Sequence, residues 1–107
     1  MTRACAYTLL VRLPLAGSLA SSDEATKHRA LEESIHDQLN AAALGLVVET
    51  IQGRGRTDSY FKVSDIALAA HIARQKLEQH GCLPRATIAS QSPGETAWTI
   101  HYEEQTT

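Results

Sequence analysis

The order in which hydrophobic periods follow one another constrains this chain most. Alternation with a period of two runs over Ala6–Leu13, and helical spacing takes over from about Asp23 to Ala43. Two more strand-like runs cover Leu46–Ile51 and Ser59–Val63. A second helical run covers Asp65–His80, and strand-like material returns between Arg85 and Tyr102.

In the first run Tyr7, Leu9, Val11 and Leu13 alternate with Thr8, Leu10 and Arg12. One face is wholly apolar and the other mixed, as a sheet covered on one side requires. Leu31, Ile35, Leu39 and Ala42 put one apolar stripe on the first helix, and Ile66, Ala70, Ala73 and Leu77 put one on the second. Ser21 and Glu24 have capping-box spacing, Ser64 is the expected N-cap of the second helix, and Gly45 and Gly81 are the expected helix stops. Gly53–Arg54–Gly55–Arg56 reads as a hairpin turn. Thr87–Ser90 and Thr96–Tyr102 read as short strands around Ser92–Pro93–Gly94–Glu95, with Trp98, Ile100 and Tyr102 on one face. Strand, helix, strand, strand, helix, strand is the split-βαβ, ferredoxin-like plan. The expectation is a single α+β domain over 1–107, βαββαβ, with an antiparallel sheet, two helices on one face and an extra C-terminal hairpin strand.

A chain of 107 residues, 43% hydrophobic and 21% charged, is long enough for one core and too short for two. A net charge of −2 gives no global field to draw the chain to nucleic acid or an anionic membrane. The longest apolar stretch, Ala41–Val48, is broken by Gly45 and falls far short of the roughly 20 residues that span a bilayer. Arg12, Pro14 and Gly17 spoil Met1–Ala20 as a signal peptide, so a cytoplasmic location is expected. Cys5 and Cys82 lie too far apart for metal-ligand or redox-motif spacing and read as free thiols.

Catalytic chemistry leaves no mark. Among His28, His36, His71, His80 and His101 no two stand one helical turn apart, which a helical metal site needs. His28 falls on the first apolar stripe and reads as a partly buried, hydrogen-bonded residue. His101–Tyr102–Glu103 matches the deaminase H-x-E in letters, but no C-x-x-C follows. No G-x-S-x-G elbow is present. The expectation is therefore no metal, no cofactor, no catalytic residue and no enzyme. Arg54 and Arg56 on a glycine-rich turn suit an anion, yet the turn lacks the P-loop pattern and precedes a strand. Tyr60 and Phe61 are adjacent and point to opposite faces, so a base-stacking platform for nucleic acid is disfavoured.

What remains is surface. Asp23, Glu24, Glu32, Glu33 and Asp37 outnumber Lys27 and Arg29 on the first helix, and Leu68 and Ile72 form a second apolar line on the second helix. Glu32, Glu33, Asp37, Leu68, Ile72, Arg54 and Arg56 are the candidate partner-binding residues. Four stretches also carry a resemblance: V-R-L-P at Val11–Pro14, L-E-x-x-I-x-x-x-L at Leu31–Leu39, the hairpin stretch that opens L-G-x-V at Leu44–Gly53 and the second-helix stretch that opens A-L at Ala67–Ile72. Together they resemble small bacterial ferredoxin-like proteins, from which this chain departs by Arg54 and Arg56 around the second glycine of the turn. Proteins of this size, plan and charge include immunity proteins that neutralise toxins of interbacterial competition. The resemblance implies a non-enzymatic protein-binding module, an immunity or inhibitor protein; the acidic first helix as its contact surface would face a basic toxin domain, and homodimerisation through sheet edges or faces also fits the plan. The alternative is a small-molecule-sensing regulatory domain or small enzyme using the sheet-face groove.

Overall fold

A computed structural model describes residues 7–15, 22–42, 45–82 and 85–102, with residues 46–48 by their backbone alone. Seven elements follow one another: β1 (Tyr7–Pro14), α1 (Ser22–Ala41), β2 (Gly45–Gly53), β3 (Arg56–Val63), α2 (Ile66–Gln79), β4 (Thr87–Gln91) and β5 (Thr99–Tyr102). The five strands form one antiparallel sheet in the order β2-β3-β1-β4-β5. No helix among the described residues is long and apolar enough to cross a membrane.

The period-two pattern of β1 explains why this strand takes the centre. Leu9, Val11 and Leu13 point into a core shared with Phe61 and Val63 of β3 and Ile88 of β4. Leu31, Ile35 and Leu39 of α1 and Ala69, Ala70, Ile72, Ala73 and Leu77 of α2 close the same core, so both apolar stripes lie against one side of the sheet. Burying each large aliphatic or aromatic side chain of this kind contributes about 1.5–3 kcal/mol. Alanine lines much of α2, which lets that helix sit close to the strands and to α1.

Local chemistry sets the boundaries, with some corrections to the sequence reading. Asp65, not Ser64, caps α2: its carboxylate accepts from the Leu68 amide at 3.1 Å. Ser21 lies outside the described residues. Gly81 ends α2 at φ 72°, with the Gly81 amide donating to the Glu78 carbonyl and the Cys82 amide to the Leu77 carbonyl, the paired bonds of a Schellman motif. Gly45 does not stop α1. It is the first residue of β2, where a Cβ would collide with the Lys62 carbonyl oxygen, so close strand approach is its role. Ala42 is exposed beyond the end of α1 rather than part of its buried stripe. Between β2 and β3 the turn residues Arg54 and Gly55 have φ of 56° and 77°, the double positive φ of a type I′ hairpin.

Both edge strands carry one residue more than their partners. The register of β2 on β3 shifts between Val47 and Glu49. That of β5 on β4 pairs Ile88 with Tyr102 but Ala89 with Ile100, making His101 the extra residue. The second shift corrects the expectation that Ile100 and Tyr102 share a face. Tyr102 packs against the core under the helices, with Arg74 of α2 over its ring at 5.5 Å, while Ile100 follows Ala89 to the other side.

Candidate functional site

A hollow of about 650 Å³ lies where α1 passes over the end of the β2–β3 hairpin. Ala25, Thr26, His28, Arg29, Glu32 and Glu33 line it from α1. Thr50, Gln52 and Thr57 line it from the strands. It exists because the apolar stripe of α1 gives way to His28 at this end, and the strands answer with hydroxyls and an amide instead of aliphatic side chains. The shift in β2 sets which of its residues face α1: Thr50 pairs with Ser59 and Gln52 with Thr57, both on the helix side.

His28 is only 9% exposed, and its Nδ1 makes a 2.9 Å hydrogen bond with the Thr57 hydroxyl, itself buried. Burial holds the His28 ring below the ordinary histidine pKa; the field of Glu24 opposes this and that of Lys27 adds to it. The ring is therefore neutral near pH 7. Thr50 Oγ1 donates to Glu32 Oε2 at 2.6 Å, which fixes one carboxylate across the hollow. Arg29 and Glu33 stand one helical turn apart on its exposed rim, and no ion pair joins them among the described residues. A second hollow of about 160 Å³ adjoins on the other side of His28, bounded by Leu13, Pro14 and Cys82. Cys82 is a free, buried thiol that donates to the His80 carbonyl at 3.6 Å; Cys5 lies outside the described residues.

The uncovered side of the sheet is built differently. Leu10 and Ala89 lie on it, yet they are 4% and 1% exposed although no helix covers them. Tyr60, opposite Leu10 on β3, and Trp98, just before β5, lie with ring centroids 6.4 Å apart. Tyr60 sits on β3 and Trp98 borders β5, so their contact spans β1 and β4 and roofs the two apolar residues. Trp98 and Ile100 remain substantially exposed at the β5 edge of this roof, and Ile51 is exposed at the opposite edge, on β2 beside Asp58. Further along the same face, the buried Asp58 takes Arg12 Nε at 2.8 Å, Arg12 Nη2 at 3.2 Å and Arg56 Nε at 3.3 Å. The hydrogen bonds to Asp58 hold the Arg12 guanidinium above its ordinary pKa against the opposing effect of burial. Lys62 Nζ donates to Thr8 Oγ1 at 2.9 Å on this face as well.

The candidate residues named from sequence do not form one surface. Glu32 and Glu33 meet in the larger hollow, and Asp37 is exposed farther along α1. Leu68 is 45% exposed on α2, but Ile72 belongs to the core, so the second apolar line is not a surface patch. The wide core-facing side of α2 accounts for Ile72. Arg54 occupies the hairpin tip and Arg56 is engaged by Asp58. Sequence reasoning missed Thr50, Gln52 and Thr57 as a group, and the pairing of Trp98 with Tyr60. Polar residues at core-facing positions of a hairpin are a signal for the first, though the shift in β2 scrambles its alternation. For the second the sequence carries no signal, since the two rings are far apart along the chain. Among the described residues no group of three or more His, Cys, Asp or Glu side chains is arranged to hold a metal. No protein-family model, curated protein or solved structure matches the chain.

Proposed function

We propose that the chain is a ferredoxin-like, non-enzymatic protein-binding module that meets its partner through the uncovered sheet face, in the manner of an immunity or inhibitor protein that occludes a bacterial toxin. Leaving out β5, the strand order β2-β3-β1-β4 is that of a split βαβ unit, which supports the fold name. The observation that carries the functional reading is the exposed apolar pair Trp98 and Ile100, beside Tyr60, on the sheet face that no helix covers. Large apolar side chains clustered on a surface are the usual core of a protein contact, with aromatic residues as its anchors. Arg12, Arg56 and Lys62 against Asp58 and Glu49 give that face a positive balance, which selects an acidic partner surface. The basic toxin domain inferred from α1 belongs to the opposite side of the molecule, so the sheet-face reading replaces it with an acidic one.

The test is co-purification of the tagged chain with proteins encoded beside it, together with light scattering of the isolated chain. The double variant Trp98→Ser, Ile100→Ser is expected to lose the partner at unchanged expression, while Asp37→Lys on α1 keeps it. Partner capture that survives the double variant and disappears with Asp37→Lys overturns the choice of face. A chain that captures none of these proteins and stays monomeric overturns the binding function.

A further inference from the structure

The hollow under α1 lies on the opposite side of the sheet and is independent of the proposed partner face. We infer that it is a binding site for a free basic amino acid, with the ligand's cationic head held by Glu32 and Glu33 and its carboxylate by Arg29.

Size and lining come first. A hollow of about 650 Å³ falls in the range of small-molecule sites, roughly 300–1,000 Å³. Such sites are mostly apolar, but here Ala25 is the one residue without a polar side chain among those that line it. A ligand held there gains little from apolar burial and must be recognised through charge and hydrogen bonds.

Charge comes second. The hollow offers two carboxylates and one guanidinium. A basic amino acid offers two cations and one carboxylate, the complementary set. Glu33 and Arg29 are neighbours on one helix face, about 5–6 Å apart at Cβ, and in helices such pairs commonly bond to each other. Here no ion pair joins them among the described residues, so both heads are available. Glu32 is held in place by Thr50, which aims its carboxylate across the hollow and leaves Oε1 for a ligand. A carboxylate already positioned loses less side-chain freedom on binding than a mobile one.

His28 is the third and independent observation. It is more than nine-tenths buried and lines the hollow, with Nδ1 committed to Thr57. Its Nε2 has no hydrogen-bond partner among the described residues. The ring lines both this hollow and the smaller one beside it. In the tautomer that gives Nδ1–H to Thr57, Nε2 carries a lone pair that accepts a ligand N–H; in the other, Nε2–H donates to a ligand oxygen.

Calorimetric titration of the full chain with L-arginine, agmatine and citrate tests this inference. Agmatine keeps the cationic head and lacks the carboxylate; citrate has only carboxylates. Saturable binding of L-arginine is expected, with agmatine at least fivefold weaker and citrate silent. Glu32→Gln should weaken arginine at least tenfold, and Arg29→Gln should erase the preference for arginine over agmatine. Gln52→Arg places a cation in the hollow from an exposed position and should abolish binding. Circular dichroism of each variant reports that it is folded. No binding of L-arginine at millimolar concentration, agmatine binding as tightly as arginine, or arginine binding untouched by Glu32→Gln and Gln52→Arg would each overturn the inference. None of these outcomes bears on the Trp98 face.

Discussion

The two sides of this sheet differ from what their cover suggests. The side under the helices holds the aliphatic core, yet toward the hairpin end it opens into a polar hollow around His28 and Glu32. The bare side carries the ion cluster at Asp58, yet its middle is dry, because Tyr60 and Trp98 shield Leu10 and Ala89. The contrast teaches that exclusion of water is decided by side chains locally rather than by which layer lies above. Two aromatic rings that meet across intervening strands do for Leu10 what a helix does for Leu9.

The largest expected effect separates the two sides. Phe61 is fully buried under the helices, and Phe61→Ala should cost about 3–5 kcal/mol in urea unfolding. Trp98→Ala removes a roof that is itself 39% exposed and should cost about 1–2 kcal/mol, with increased exchange at the amides of Leu10 and Ala89. If Trp98→Ala matched Phe61→Ala, the bare side would be a second core and the contrast would fail. The smallest effect sharpens the view of the polar hollow. The pKa of His28 is lowered in the folded chain, so the unfolded chain takes up its proton first as pH falls below about 6.5. Stability should then decline with falling pH until the lower folded value is passed, and this component should be absent in His28→Gln. Urea midpoints of the two proteins, compared at about pH 7.5 and about pH 5.5, measure it; parallel declines would show that His28 is not held neutral.

Much of the architecture was legible in the amino-acid order because its signals are local. Alternation at Tyr7–Leu13 fixed which side of β1 is apolar, four-residue spacing of Leu31, Ile35 and Leu39 fixed the α1 stripe, and Gly81 fixed the end of α2. The misreadings also have local causes. Ser64 and Asp65 are both good caps, and only backbone geometry chooses between them. Gly45 looks like a stop because glycine after a helix normally supplies positive φ, whereas here it supplies room for the Lys62 carbonyl. Leu68 and Ile72 look alike in sequence, and the depth of the groove that receives α2 tells them apart. The candidate sites were the least legible. The hollow needs α1, β2 and β3 to converge, and the roof needs Trp98 to reach Tyr60; neither distance is written in spacing.

The surplus residues in β2 and β5 have a consequence for how the molecule behaves in a crowd. The rims of a sheet are rows of unsatisfied donors and acceptors onto which another chain can zip. Here the two outermost strands are the ones whose hydrogen-bonding rhythm is interrupted, near Val48 at one rim and at His101 at the other, where Ser90 Oγ and His101 Nε2 are bonded at 2.7 Å. A like strand approaching either rim finds its repeat out of step after a few residues. The fold can thus leave one flat side of the sheet uncovered while resisting rim-to-rim fibre growth.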